Sequence, residues 1–141
     1  MKIVSACLAG INCKYNGSNY LVQEIKDMVN CNEAIAVCPE VLGGLKIPRD
    51  PAEIINGKVI TVNGIDVTKE YELGALRTLE KCQKYEVDQV ILKSNSPSCG
   101  VGCIYDGNFN GTIINGNGKT AELLLKHGYC VISDIEYKKK D

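Results

Sequence analysis

Three short apolar runs mark the chain, and each leads into a cysteine beside glycine. Ile3-Val4-Ser5-Ala6-Cys7 runs on to Gly10, Ala34-Ile35-Ala36-Val37-Cys38 to Gly43-Gly44, and Val90-Ile91-Leu92 to Ser96-Pro97-Ser98-Cys99-Gly100. Aliphatic and β-branched runs without polar alternation are the mark of strands covered on both faces. Strands are therefore predicted over 2–7, 34–38 and 89–92, with a fourth over 129–133. Between them the apolar spacing lengthens. Leu21, Ile25, Met28 and Val29 stand at i, i+4, i+7 and i+8, which predicts an amphipathic helix over 20–30. A second helix is predicted over 68–85, with Thr68 as its cap, Glu70 and Glu72 in its first turn, and Ala75, Leu76, Leu79 and Cys82 along one face. A third, over 119–127, is expected to end at Gly128 in the left-handed conformation.

Strands and helices alternating at this spacing predict an α/β fold: a Rossmann-like three-layer domain with a mostly parallel sheet of about four strands and right-handed crossovers. The Asn63-Gly64 pair between 58–62 and 65–67 adds a small β-hairpin at the sheet edge. Three stretches fit neither period. The loop after the first strand holds Gly10, Cys13 and Asn16-Gly17. Residues 39–56 contain Pro39, Pro48, Pro51 and Gly43-Gly44, which argue against a regular helix or a central strand. Residues 101–118 are glycine-rich around Ile104-Tyr105-Asp106. Long ordered loops in small domains commonly wrap a site, and open α/β sheets bind ligands beyond the carboxyl ends of their strands.

A chain of 141 residues suits a single domain, 1–141, large enough for a core of its own. With 16 basic and 17 acidic residues its net charge of -1 offers no grip on a nucleic-acid backbone, so no DNA partner is expected. No apolar run approaches the ~20 residues that span a bilayer, and no signal peptide is evident, so a cytoplasmic protein without a membrane partner is expected, as a monomer or weak homodimer. The Lys138-Lys139-Lys140 tail before Asp141 reads as a solvated terminus.

The 8 cysteines are many for a reducing compartment. Cys31, Cys82 and Cys130 fall where core or interface residues are expected. Cys7, Cys38 and Cys99 stand at loop entrances beyond three strands, where packing explains a thiol poorly. The single histidine, His127, lies in the last turn of a predicted helix, a position suited to the helix dipole. Mixed Cys-His sites are thereby disfavoured, and all-thiolate coordination remains. Three thiolates suit either zinc with an open position or a [4Fe-4S] cluster with one iron not ligated by protein. The iron-sulfur alternative explains more of the loops, because glycine-rich backbone brings N–H donors close to negatively charged sulfur. Cys13 and Cys103 lie near Cys7 and Cys99 in sequence, and either could supply a fourth ligand.

Glu40, two residues past Cys38, is the candidate general acid/base. Ser96 and Ser98 are candidates for binding a substrate carbonyl or relaying a proton, and Arg49, Lys93, Tyr105 and Asp106 for gripping a polar heterocycle. Gly118-Lys119-Thr120 opens a helix as a P-loop does, but Ile113 stands where that pattern requires glycine.

Taken together, Ser5-Ala6-Cys7-Leu8-x-Gly10, Cys38-Pro39-Glu40-Val41-Leu42-Gly43-Gly44, Pro48-Arg49-x-Pro51-Ala52-Glu53, Ser96-Pro97-Ser98-Cys99-Gly100 and Ile104-Tyr105-Asp106-Gly107 resemble a bacterial domain-of-unknown-function family whose characterised members are thiouracil desulfidases. The resemblance covers nearly the whole chain in order. It implies a Rossmann-like domain carrying an oxygen-sensitive [4Fe-4S] cluster on Cys7, Cys38 and Cys99. It also implies removal of sulfur from a thiolated pyrimidine as hydrogen sulfide without net redox change, with Glu40 and a serine of the Ser-Pro-Ser loop moving protons. Lys46-Ile47 and Ser94-Asn95 depart from the usual pattern, which bears on substrate identity. The expected partner is a small thiolated molecule such as a nucleobase or nucleoside. The alternative is a non-catalytic iron-sulfur sulfide carrier or sensor serving sulfur trafficking or tRNA thiolation.

Overall fold

The computed structural model describes residues 1–139; Lys140 and Asp141, the end of the predicted solvated tail, lie outside the described residues. The predicted strands are present as β1 (Lys2–Ser5), β2 (Ala34–Val37), β5 (Gln89–Leu92) and β8 (Val131–Ser133). They form one four-stranded sheet in the order β2-β1-β5-β8, and every pairing in it is parallel. Register sets Ile3 beside Ile35 and Val90, and Ile91 beside Ile132.

Successive side chains of a strand point to opposite faces, so each uninterrupted apolar run supplies two cores. On one face Ile3, Val37, Val90 and Leu92 pack with Leu79 and Cys82 of α3 (Thr68–Lys84) and with Ala121 and Leu124 of α4 (Lys119–Lys126). On the other, Val4, Ala34 and Ile91 pack with Ile25 and Met28 of α1 (Gln23–Asn30) and with Tyr137 of α5 (Asp134–Lys138). Each fully buried aliphatic side chain contributes roughly 1.5–3 kcal/mol. These two layers fix the strand ends that carry the loops.

Several expectations change in detail. β1 stops at Ser5, and a 3₁₀ turn over Ala6–Ala9 carries Cys7 until Gly10, at φ 86°, ends it. β2 stops at Val37, leaving Cys38 as the cap of a one-turn helix, α2 (Pro39–Leu42). The prolines were expected to exclude a regular helix here, but Pro39 occupies the first helical position, where its missing N–H costs nothing.

The hairpin also forms one turn earlier than predicted. β3 (Ala52–Ile55) pairs antiparallel with β4 (Lys58–Thr61) across Asn56-Gly57, at φ 50° and 79°. Asn63-Gly64 does turn the chain, but the return forms no strand: it makes the isolated bridge Ile60–Asp66, and the Ile65 and Val59 carbonyls accept from Thr61 N–H at 2.8 Å and Val67 N–H at 2.9 Å. Two Asn-Gly pairs flank β4, and the four-residue β3 before the first offers it a longer partner than the segment 65–67 after the second. Thr68 does not cap α3: its Oγ1 accepts from Val59 N–H at 2.9 Å, while Asp66 Oδ1 accepts from Thr68 N–H at 2.9 Å. Nor does Leu76 face the core; it is 49% exposed, and Tyr71, Ala75, Thr78, Leu79 and Cys82 form the buried stripe. The glycine-rich stretch holds an unpredicted hairpin, β6 (Cys103–Tyr105) with β7 (Ile113–Asn115). Of the cysteines expected to pack, Cys82 is buried, whereas Cys31 and Cys130 are exposed.

Candidate functional site

Beyond the carboxyl ends of β1, β2 and β5 lies a cavity of about 440 Å³, in the range that holds a small ligand. Its wall brings together Cys7, Cys38 and Cys99 with Glu40, Arg49, Lys93, Ser96 and Tyr105. Two predicted residues stand apart. Ser98 is buried and bonded to Thr120 Oγ1 at 2.9 Å, and Asp106 accepts from the N–H and Nδ2 of Asn108, both at 2.9 Å. Neither lines the cavity.

Each thiol is placed by the element that precedes it. The Cys99 loop is wound tightly: Ser96 Oγ accepts from Cys99 N–H at 2.6 Å, and the Ser96 carbonyl accepts from Gly100 N–H at 2.9 Å. Gly100 is required here because a Cβ would lie 2.6 Å from the Cys103 carbonyl oxygen. Ser5, at the end of β1, reaches across the sheet. Its hydroxyl donates to Cys99 Sγ at 3.5 Å and accepts from Lys93 N–H at 2.9 Å. Cys13, buried in the loop after the 3₁₀ turn, also lines the cavity and touches both Cys7 and Cys38 through its thiol.

Crowding and burial favour the protonated forms of Cys13, Cys38 and Cys99. Burial pushes Cys99 up to about 12 against the opposing donation from Ser5. Contact with Cys13, followed by burial, raises Cys38. For Cys13 the contact with Cys38 acts downward, but contact with Cys7 and burial outweigh it and carry the thiol up to about 11. A positively charged group in the cavity would reverse this balance, since metal-bound thiols are deprotonated. Among the described residues no three of His, Cys, Asp and Glu are drawn together tightly enough to chelate one ion. The thiols instead line the wall of one cavity. The donor set fits a polynuclear iron-sulfur group, whose metal atoms lie apart and each take one thiolate.

Glu40 is the second residue of α2 and faces the same cavity. Tyr71, buried in α3, donates its hydroxyl to Glu40 Oε1 in a short bond, and Arg49 Nε donates to the same oxygen at 3.4 Å. Burial, and then the Glu40 charge, raise the Tyr71 phenol, so it remains a donor. Arg49 spends its other nitrogens on backbone, donating to the Lys46 carbonyl at 3.2 Å and the Cys13 carbonyl at 2.9 Å. It is an organising cation that joins Glu40 to the Cys13 loop.

Lys93 and Lys14 also line the cavity, and both ammonium groups lie over the Tyr20 ring, at 4.5 and 4.3 Å from its centre. Lys93 is also tied to Asp134 at 3.7 Å, and Asp134 accepts from Ser94 N–H at 2.8 Å. Glu53, buried in β3, accepts from the backbone N–H groups of Gly107 at 2.9 Å and Phe109 at 3.1 Å, holding that loop against the cavity. Sequence reasoning missed Ser5, Lys14, Tyr20, Tyr71 and Asp134 as site residues. Only Tyr71 left a signal, its helical spacing to Ala75 and Leu79 marking a buried position for a residue with a polar tip.

The remaining motifs resolve structurally. His127 Nδ1 lies 3.0 Å from the Leu123 carbonyl at the exposed end of α4. Lys119 donates to the Gly57 carbonyl at 2.6 Å, and Gly118 packs against Ser98, where a Cβ would lie 2.4 Å from the carbonyl carbon. No phosphate cradle is formed by these residues.

Comparison with known proteins agrees with this architecture. A chain from Bacillus subtilis (strain 168), an uncharacterized protein called YbbK, is 47% identical over 96% of this chain and 97% of its own. A solved structure of TudS, described as a [4Fe-4S]-dependent thiouracil desulfidase, superposes with a TM-score of 0.91 at 41% identity, covering 97% of this chain and 92% of that one. The model of the 2-thiouracil desulfurase family matches residues 3–136. With the match extending over nearly the whole fold and all of its cavity-bearing loops, the chain belongs to the 2-thiouracil desulfurase family.

Proposed function

We propose that the protein is a [4Fe-4S]-dependent desulfidase that removes sulfur from thiouracil or a related thiolated nucleobase or nucleoside. Cys7, Cys38 and Cys99 would hold the cluster, leaving one iron that none of the three ligates and that an incoming ligand can reach. The observation that carries this reading is the meeting of these thiols with Glu40 in one cavity beyond adjacent parallel strands. When bound, the cluster supplies a Lewis-acidic iron with affinity for the substrate's sulfur.

The reaction balances as a thiocarbonyl plus water giving a carbonyl plus hydrogen sulfide, with no electrons transferred. The chain's part is therefore to orient the heterocycle and to move protons. Glu40 Oε2 is the carboxylate oxygen not engaged by Tyr71 and Arg49, and it accepts a proton from the attacking water. Holding Oε1 from two sides removes rotational freedom from the carboxylate, which favours a near-attack arrangement. Ser96 Oγ is tied to Cys99 N–H as acceptor, so its own proton remains available to a substrate oxygen or sulfur. Lys93 and Tyr105, both in the wall, would grip the polar edges of the ring.

The test is anaerobic reconstitution with iron and sulfide, followed by assay of sulfide release from 2- and 4-thiouracil. A brown, iron-containing protein that releases sulfide, with both properties lost in Cys99→Ala, is expected. A brown wild-type protein that leaves both substrates intact would remove the thiouracil assignment, and failure to take up iron would remove the cluster. Glu40→Gln separates catalyst from carrier: a catalyst keeps its iron and loses turnover, whereas a sulfide carrier is indifferent.

A further inference from the structure

The cavity holds one more thiol than the proposed ligand set uses. Cys13 is 4% exposed, yet among the described residues it joins none of the apolar clusters that make up the core. Its neighbours in sequence, Ile11 and Asn12, are exposed. The turn that sends this side chain inward is built: Cys13 N–H donates to the Ile11 carbonyl at 2.8 Å, and the Cys13 carbonyl accepts from Arg49 Nη2 at 2.9 Å and from Cys38 Sγ at 3.9 Å. The thiol touches Cys7 and Cys38, two of the three proposed ligands, and faces the same cavity as Cys99. Cys103 behaves differently. It is exposed on β6 and does not line the cavity.

A buried thiol that touches two other thiols and lies outside the apolar clusters gains little as a packing residue. Its backbone is tied by hydrogen bonds to a loop and by Arg49, outside the strand ladders that lead into Cys7 and Cys38. Such a tether lets the side chain move while the loop stays closed.

We propose that Cys13 is a fourth, exchangeable cluster ligand, its thiolate occupying the iron left open by Cys7, Cys38 and Cys99 until the substrate's sulfur replaces it. This rests on the desulfidase reading above. The exchange conserves charge and electrons: the iron–Cys13 bond breaks, an iron–sulfur bond to the substrate forms, and the proton lost from the substrate's ring N–H is taken up by the departing Cys13 thiolate. In the resting protein the exchangeable iron is thereby shielded, and only a soft sulfur ligand displaces it readily.

Cys13→Ser, Cys13→Ala and Cys103→Ala proteins are reconstituted anaerobically beside the wild type, and iron and acid-labile sulfide are measured. Each is then oxidised mildly with ferricyanide and examined by EPR. An open iron is lost first on oxidation, leaving a three-iron cluster with its own signal. Both Cys13 variants are expected to take up iron as the wild type does and then to show a roughly tenfold larger three-iron signal, with Cys103→Ala matching the wild type. Addition of 2-thiouracil to the wild type before oxidation should free Cys13 for alkylation by iodoacetamide, read by peptide mass. Equal three-iron signals in wild type and Cys13 variants, or Cys13 alkylated equally with and without substrate, would overturn the proposal while leaving the desulfidase reading intact. Absence of iron uptake by the wild type would overturn both.

Discussion

Gly43 and Gly74 stand directly against one another. A Cβ on Gly43 would lie 1.9 Å from the Glu70 carbonyl oxygen, and one on Gly74 would lie 1.9 Å from the Pro39 carbonyl oxygen. This reciprocal contact brings α2 onto α3 closely enough for Tyr71 to reach Glu40. Alanine at position 74 should gain about 1 kcal/mol of helix propensity. It cannot be accommodated at that distance without displacing α2, and overpacking of this kind costs about 1–3 kcal/mol. Gly74→Ala is therefore expected to lower the midpoint of urea unfolding and to reduce turnover together. A rise in midpoint would show that the helices are free to separate.

Tyr71→Phe tests the hydroxyl with the packing retained. The loss of its bond to Glu40 leaves Arg49 alone to fix the carboxylate. Turnover is expected to fall roughly tenfold, about 1.4 kcal/mol of barrier, while KM changes little because the Tyr71 hydroxyl is spent on Glu40. Unchanged kcat in Tyr71→Phe would assign the tyrosine to packing alone.

The sheet and its helices were legible because each apolar run is uninterrupted and each helix carries its own period. The thiols were legible for the same reason, since Cys38 directly follows the end of β2 at Val37 and Cys7 lies two residues beyond the end of β1 at Ser5. What stayed hidden depends on contacts between distant residues. Nothing around Ser5 announces that its hydroxyl sits between Lys93 and Cys99, because that relation exists only after β1 and β5 pair. Nothing in the sequence marks Asp134 until the last strand places it against Ser94 N–H and Lys93. Ser98 was misleading in the opposite sense, because its neighbours Ser96 and Cys99 face the cavity while Pro97 turns it toward Thr120.

Glu53 holds the loop of Gly107 and Phe109 through two backbone N–H groups, and hydrogen bonds to a buried carboxylate contribute about 1.5–3 kcal/mol each. Glu53→Ala should loosen the cavity wall locally. Hydrogen exchange over 106–112 is expected to quicken while the central strands stay protected, and KM is expected to rise more than kcat falls. Uniform loss of protection across the sheet would instead make Glu53 a core residue.

Cys82 offers a titration remote from Glu40. Burial pushes its thiol from 9.0 up to about 11. A raised folded-state value means that the unfolded chain loses this proton first as pH rises. The associated stability is complete below about pH 9 and is lost through about pH 11, amounting to about 2–3 kcal/mol. Cys82→Val, a similar volume without a titrating proton, should flatten this part of the alkaline decline in urea-unfolding free energy. An unchanged slope between those limits would assign the decline to other groups.

Ser5 connects the end of β1 to both the Lys93 backbone and the Cys99 sulfur. Its two bonds have separable consequences. Ser5→Ala removes the donor to sulfur and leaves the partly buried Lys93 N–H without its acceptor, so a stability loss of about 1–3 kcal/mol is expected along with weaker retention of the proposed cluster. Ser5→Thr keeps the hydroxyl and adds one methyl group beside the cavity. If the sulfur bond governs retention, iron lost to a chelator over time should be faster in Ser5→Ala and near wild type in Ser5→Thr, even where the added methyl lowers stability. Equal iron loss in Ser5→Ala and wild type would confine Ser5 to holding the strands in register.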